Sequence, residues 1–223
     1  MKITTLLFDL DGTLVDSARE SAVILNAMRN ERGRGPCDIS LFQEKISSGA
    51  KGLIECALGF CKEDTESLIK EFRAKYQTTQ TPKSSLYPNV IETLTQLRTI
   101  GYSLGVVTNK PDNLCHNVLI QTGLFQFFDC IIAATGNIKP KPHPEPIHTA
   151  LQKMGRKKNE SILIGDSRPD QLAAAQAGIP FIFFTEGYDD GVNQADVFAS
   201  ISHHQDLLTK KLFLSLPLAG KTK

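Results

Sequence analysis

Four short stretches of the chain gather residues able to handle a phosphate group and a hard cation. Asp9-Leu10-Asp11-Gly12-Thr13 follows the apolar run Ile3 to Phe8, and Thr108-Asn109 follows Ser103 to Val107. Lys141 lies in Lys139-Pro140-Lys141-Pro142. Gly165-Asp166 follows Ser161 to Ile164, with Asp170 soon after. Clustered carboxylates repel one another unless a cation sits between them, and magnesium takes such oxygen ligands octahedrally. A carboxylate can also attack phosphorus, dividing one hard step into two easier ones. An extended Asp9-Leu10-Asp11 would turn both carboxylates to one face, so that one can attack while the other moves a proton. Gly12 permits a turn and a close backbone approach. The Thr108 hydroxyl can donate to a phosphoryl oxygen, and the Lys141 ammonium can balance charge on a transferring group.

Singly, each stretch has a plainer reading. An Asp after a strand commonly forms a turn or caps a helix. Asp166, Ser167 and Thr108-Asn109 all precede predicted helices, and the proline-flanked Lys141 could belong to a rigid surface loop. Their order and placement carry the chemical reading.

These residues need a scaffold that brings them together. Ile3 to Phe8 predicts a buried strand. Ala18 to Arg32 predicts a helix stopped by Gly33. Ile39 to Tyr76 continues a helical pattern broken at Ser47-Ser48-Gly49, and Thr78 to Ser85 reads as a polar linker. Val90, Ile91, Leu94 and Leu97 then share one helical face, closed by Gly101. Strands are predicted at 103–107, 130–134, 161–164 and 179–184, and helices at 112–122, 146–154 and 169–177. Strict alternation predicts an α/β fold, a parallel sheet covered on both faces in three layers. Residues 1–14 and 84–223 would form that core, and 15–83 a helical insert. Ligands of such sheets bind outside the carboxyl ends of the strands, where all four stretches fall.

The bulk numbers narrow the function. With 223 residues, 41% of them hydrophobic, the chain can build one core with a small satellite. Charged residues make up 22% and the net charge is +1, so no electrostatic argument favours nucleic acid or a membrane surface. No apolar run approaches the ~20 residues that cross a bilayer, and the apolar N-terminal run is too short for a secretory signal. Cys37, Cys56, Cys61, Cys115 and Cys130 form no Cys-x-x-Cys pair and read as reduced thiols of a cytoplasmic protein, without a zinc site. The expected partner is a small phosphorylated metabolite; oligomeric state and any role for the tail 211–223 are not legible. His116, His148, His203 and His204 lack metal spacing and read as surface or packing residues. His143 faces either the site or solvent. Phe181, Phe183 and Phe184 read as core. Ser48-Gly49-Ala50-Lys51-Gly52 is either a turn or a set of amides and a lysine that meet an acidic substrate.

Phe8-Asp9-Leu10-Asp11-Gly12-Thr13-Leu14-Val15-Asp16-Ser17 resembles the first motif of the haloacid dehalogenase-like hydrolases. Val107-Thr108-Asn109-Lys110-Pro111 resembles the second, Lys141-Pro142-His143-Pro144-Glu145-Pro146 the third, and Gly165-Asp166-Ser167-Arg168-Pro169-Asp170 the fourth. Within the family the likeness is closest to phosphoglycolate phosphatases, through Thr-Asn-Lys-Pro, Lys-Pro-His-Pro and Glu186-Gly187-Tyr188. The resemblance implies a Rossmann-like core with a small all-helical cap domain at 15–83. It also implies a Mg2+-dependent phosphatase acting through a phospho-aspartate. Asp9 would be nucleophile and metal ligand. Asp11 would be general acid and base, lending its main-chain carbonyl to the metal. Thr108 and Lys141 would hold the phosphoryl oxygens, and Asn109 would contact the same site. Asp166 would bind the metal directly, and Asp170 directly or one shell out. Pyrophosphatases and sugar-phosphate mutases use the same scaffold. Phospho-receiver domains also hold an aspartyl phosphate with acids, a Thr and a Lys, but the insert and the Asp-x-Asp favour turnover.

Overall fold

The computed structural model describes residues 3–43, 45–46, 49–59 and 64–209. In chain order the elements are β1 (Thr5–Phe8), α1 (Ala18–Glu31), α2 (Ser40–Gln43), α3 (Gly49–Leu58), α4 (Thr65–Thr78), α5 (Val90–Thr99) and β2 (Ser103–Pro111). There follow α6 (Asp112–Thr122), β3 (Cys130–Ala134), α7 (Glu145–Lys153), β4 (Ser161–Gly165), α8 (Arg168–Ala177), β5 (Phe181–Phe184) and β6 (Ala199–Ile201).

Every residue of β1 is buried, as a central strand covered on both faces requires. Its alternate side chains serve two cores. Leu6 and Phe8 join Leu104, Val106, Ile162 and Ile164 under Leu94 and Leu97 of α5 and Leu114 and Val118 of α6. Leu7 joins Val107, Leu163 and Phe183 under Ile147 and Leu151 of α7 and the alanines of α8. The six strands run parallel in the order β3-β2-β1-β4-β5-β6, giving the three-layer α/β fold that the alternation predicts. Strand order reverses at β1, which has β2 on one side and β4 on the other. A crevice opens outside the carboxyl ends at such a switch point.

Between β1 and α5 the described residues hold four helices, α1 to α4, and no strand. Their apolar faces, including Leu25, Met28, Leu53, Leu58, Leu68 and Phe72, are continuous with the first core. The chain leaves and returns side by side. Val15 pairs with Leu86, the Asp16 N–H donates to the Ser85 carbonyl, and the Tyr87 N–H donates to the Leu14 carbonyl. The Ser85 hydroxyl donates to the buried Glu20 carboxylate at 2.6 Å, tying α1 to the returning segment.

Three details differ from the sequence reading. β2 continues past Val107 to Pro111, with a register slip between them, so Thr108 and Asn109 lie in its irregular final stretch. The linker is shorter than predicted, since α4 runs to Thr78 and Lys83–Ser85 forms a 3-10 turn. β6, three residues long, is too short to show a period. Cys61, Ser47-Ser48 and the tail 211–223 lie outside the described residues. The other four cysteines are free, and no described helix is long and apolar enough to cross a membrane.

His204 is a packing residue, as expected. It is buried against the Phe184 and Tyr87 rings, with centroids 4.6 and 6.4 Å away. Burial holds its pKa down to about 4 from an ordinary 6.5. The unfolded chain therefore binds more protons between these values, and this contribution to stability is lost as pH falls from about 6.5 towards 4. His204→Phe is expected to unfold like the parent near neutrality. It should outlast the parent by about 2 kcal/mol near pH 5 in urea titrations.

Candidate active site

β1 ends at Phe8, and the Asp9 N–H continues its ladder by donating to the Ile164 carbonyl at 2.9 Å. This sets the buried Asp9 carboxylate at the switch point, with Oδ1 2.7 Å from Lys141 Nζ. Lys141 Nζ also lies 2.5 Å from Asp170 Oδ1 and donates to the Val107 carbonyl at 2.9 Å. The lysine is held from behind by Asn109. The Asn109 side chain donates to the Lys141 carbonyl at 2.9 Å and accepts from its N–H at 2.8 Å. The amide placed by sequence near a phosphate is thus engaged with the lysine main chain.

Asp166 follows β4. Its Oδ1 accepts from the Thr13 hydroxyl at 2.8 Å and its Oδ2 from the Tyr188 N–H at 2.9 Å. Gly12, at φ +83°, and Gly187 press against this carboxylate, and a Cβ on either would collide with it. Asp170 stands in the first turn of α8. Its Oδ2 accepts from both the N–H and the hydroxyl of Ser167, the residue before the helix, so both Asp170 oxygens are already engaged.

Asp11 takes a different partner. The strand stops before Asp9, and the chain curls so that the Gly12 N–H donates to the Val15 carbonyl. The Asp11 carboxylate faces Lys110, whose Nζ lies 3.0 and 3.2 Å from its two oxygens. Lys110 Nζ also sits 4.2 Å from the centroid of the Tyr76 ring, on α4. Sequence reading assigned Lys110 no role. The signal available was its place right after Thr108-Asn109 at a strand end. Thr108 Oγ1 accepts from the Lys110 N–H at 3.1 Å, which leaves its own proton free to donate elsewhere.

Asp9, Asp11, Thr108, Asn109, Lys141 and Asp166 line one cavity of about 180 Å³, with Asp170 fully buried beside them. Its opposite wall comes from the insert, through Ser21, Ala50, Leu53, Phe72, Arg73 and Tyr76. His143 is not in this lining and stays half-exposed beside Glu145, and Lys51 turns towards Glu55.

Burial raises the Asp9 pKa to about 7, against the lowering by Lys141, with Asp170 and Asp11 adding repulsion. Burial also raises Asp166 well above its ordinary value, assisted by the charges of Asp170 and Asp9. For Lys141 burial acts downward, but Asp170 and Asp9 outweigh it and the pKa is raised. Oxygens of Asp9, Asp166 and Asp170 lie within 4.8 Å of one another. An all-oxygen, carboxylate-rich set with more negative charge than Lys141 can balance fits a hard divalent cation.

The family model described as haloacid dehalogenase-like hydrolase matches residues 6–184. A curated relative named phosphoglycolate phosphatase from Colwellia psychrerythraea is 37% identical over 199 residues, covering 85% of this chain and 88% of the relative. Another of that name from Yersinia pseudotuberculosis is 35% identical, covering 90% of each chain. A crystal structure described as a predicted phosphoglycolate phosphatase from Haemophilus somnus superposes with a TM-score of 0.82 at 27% identity, covering 93% of this chain and 97% of that one.

The raised Asp9 pKa has a consequence for stability. Because the folded value of about 7 exceeds the ordinary 3.8, the contribution is full below about 4 and is lost as pH rises through 7. In EDTA, Asp9→Asn should therefore melt higher than the parent above about pH 8, and the difference should vanish towards pH 4. Thermal unfolding of both proteins across that range checks it.

Proposed function

The chain belongs to the haloacid dehalogenase-like hydrolase family, and we propose that it is a magnesium-dependent phosphatase that cleaves a small phosphate monoester of the phosphoglycolate kind through a phosphorylated Asp9. The observation that carries the nucleophile assignment is exposure. Of the three clustered carboxylates Asp9 keeps the most surface at the cavity, 7% against 1% for Asp166 and 0% for Asp170. The other two are held in place by donors, as described above.

In the first step an Asp9 oxygen bonds to phosphorus as the ester P–O bond breaks, and Asp11 gives a proton to the departing alkoxide. In the second, Asp11 takes a proton from water as the water oxygen attacks phosphorus, and the Asp9 carboxylate leaves. Lys141 turns its ammonium from Asp9 to a phosphoryl oxygen, and the Thr108 hydroxyl donates to another. Asn109 fixes Lys141 for this task. Asp9, Asp166 and the Asp11 main-chain carbonyl would hold magnesium, with Asp170 one shell out. When bound, the cation supplies positive charge for the phosphoryl oxygens. Residues 15–83 act as a cap that hinges where Val15 meets Leu86 and closes the cavity to water. The small cavity and the names of the relatives both support a small substrate. The free thiols support a cytoplasmic setting.

Activity should vanish in EDTA and return with magnesium. Asp11→Asn keeps the main-chain carbonyl but loses proton transfer, a loss of roughly two to four powers of ten on an alkyl ester. With p-nitrophenyl phosphate, whose phenolate leaves unaided, the variant should give a near-stoichiometric burst and then a slow steady state. Acid-quenched protein should carry a hydroxylamine-sensitive phosphate on Asp9. A burst without label on Asp9 would reassign the nucleophile, and wild-type rates on both esters would remove Asp11 from the mechanism.

A further inference from the structure

Lys110 is buried at the end of β2, 9% exposed, yet it carries an ammonium group. Burial acts to lower its pKa, but the adjacent Asp11, aided by Tyr76, outweighs this and the pKa is raised. Its two supports come from opposite sides of the cavity. The core supplies the Asp11 carboxylate, with both oxygens within hydrogen-bond reach. The insert supplies the face of the Tyr76 ring, 4.2 Å away, from α4. A cation over an aromatic face is held more strongly when both are out of water, and an ion pair strengthens as water is excluded from it. The ring therefore does two things for the Lys110–Asp11 pair. It covers one side of the ammonium and reduces the screening of the pair by solvent.

We propose that Lys110 and Tyr76 are positioning residues through which closure of the helical insert sets the Asp11 carboxyl for proton transfer. With α4 over the cavity, Tyr76 covers Lys110 and Lys110 fixes both Asp11 oxygens. When α4 withdraws, the ammonium is hydrated and Asp11 loses its fixed orientation. Proton delivery is thereby confined to the enclosed state, in which the leaving group and not bulk water is the neighbour. Both residues line the cavity, and the role assigned to them is to position Asp11. The inference rests on the reading of Asp11 as the acid and base, and adds to it a control exerted from the insert.

The test is the dependence of kcat/KM on leaving-group pKa, measured with magnesium over substituted phenyl phosphates and 2-phosphoglycolate. Loss of acid assistance steepens that dependence, whereas general damage to the fold lowers all rates alike. Lys110→Met and Tyr76→Leu are expected to steepen it towards that of Asp11→Asn. For the alkyl ester they should lose about tenfold or more, short of the full term for an acid, and for p-nitrophenyl phosphate less than about threefold. Tyr76→Phe keeps the ring face and should stay near the parent. Added to Asp11→Asn, Lys110→Met should cost little more, because its effect passes through a carboxyl already removed. Where methionine impairs folding, Lys110→Gln keeps a hydrogen bond to Asp11 without charge and should steepen the dependence in the same direction. A steep Asp11→Asn with parent-like slopes for the Lys110 and Tyr76 variants would overturn the coupling and leave the acid in place. A parent-like slope for Asp11→Asn itself would overturn both.

Discussion

Three carboxylates buried around one ammonium are the constraint to which the rest of the molecule answers. Asp9, Asp166 and Asp170 bring more negative charge to the carboxyl edge of the sheet than Lys141 can neutralise. Repulsion and lost hydration would disperse such a group in an ordinary fold. Here Asp170 and Asp166 are held by donors and Asp9 by an ion pair. Asp170 has Ser167 and Lys141, Asp166 has Thr13 and the Tyr188 N–H, and Asp9 has Lys141. Gly12 and Gly187 close the space around Asp166 because neither has a side chain to occupy it. The excess charge that remains suits this edge to a hard cation.

Tyr188 joins this cluster to the insert. Its N–H holds Asp166, while its hydroxyl donates to Asp16 at 2.9 Å and accepts from the Ala18 N–H at 3.0 Å. One residue after β5 therefore touches both the acid cluster and the segment through which the chain enters α1. On the other side of the cavity Lys110 makes a similar connection, between Asp11 and Tyr76 of α4. The insert is thus tied to the chemistry of the edge by polar contacts at two places, in addition to the apolar packing that it shares with the first sheet face.

Much of this was legible locally. Apolar runs that end in acid, hydroxyl or amine marked the strands and their chemical ends, and alternation of strand and helix prescribed the layers. Contacts distant in sequence were not legible. The engagement of Asn109 with the Lys141 main chain depends on β2 and the loop after β3 meeting across 32 residues. The partner of Lys110 on α4 depends on how the insert folds back. The period-2 argument for Asp9 and Asp11 presumed a strand through Asp11, and β1 stops at Phe8. Both carboxylates still reach the cavity, but the turn after the strand, not the pleat, directs Asp11 to Lys110. The extension of β2 was hidden by its register slip, since an irregular ladder leaves no alternation to read.

The central position of β1 also bears on how the chain assembles. The strand that leads into Asp9 is made before the others of its sheet, yet its neighbours are Ser103–Pro111 and Ser161–Gly165. A parallel pairing over such separations must close long loops before any ladder bond repays them. Helices α1 to α4, which pack mostly on one another, are complete as sequence well before either neighbour exists. During synthesis β1 is therefore an unpaired, largely apolar segment attached to helices that can already pack. It remains exposed to chaperones and to other chains until β4 has emerged, and the acid cluster cannot come together before that moment.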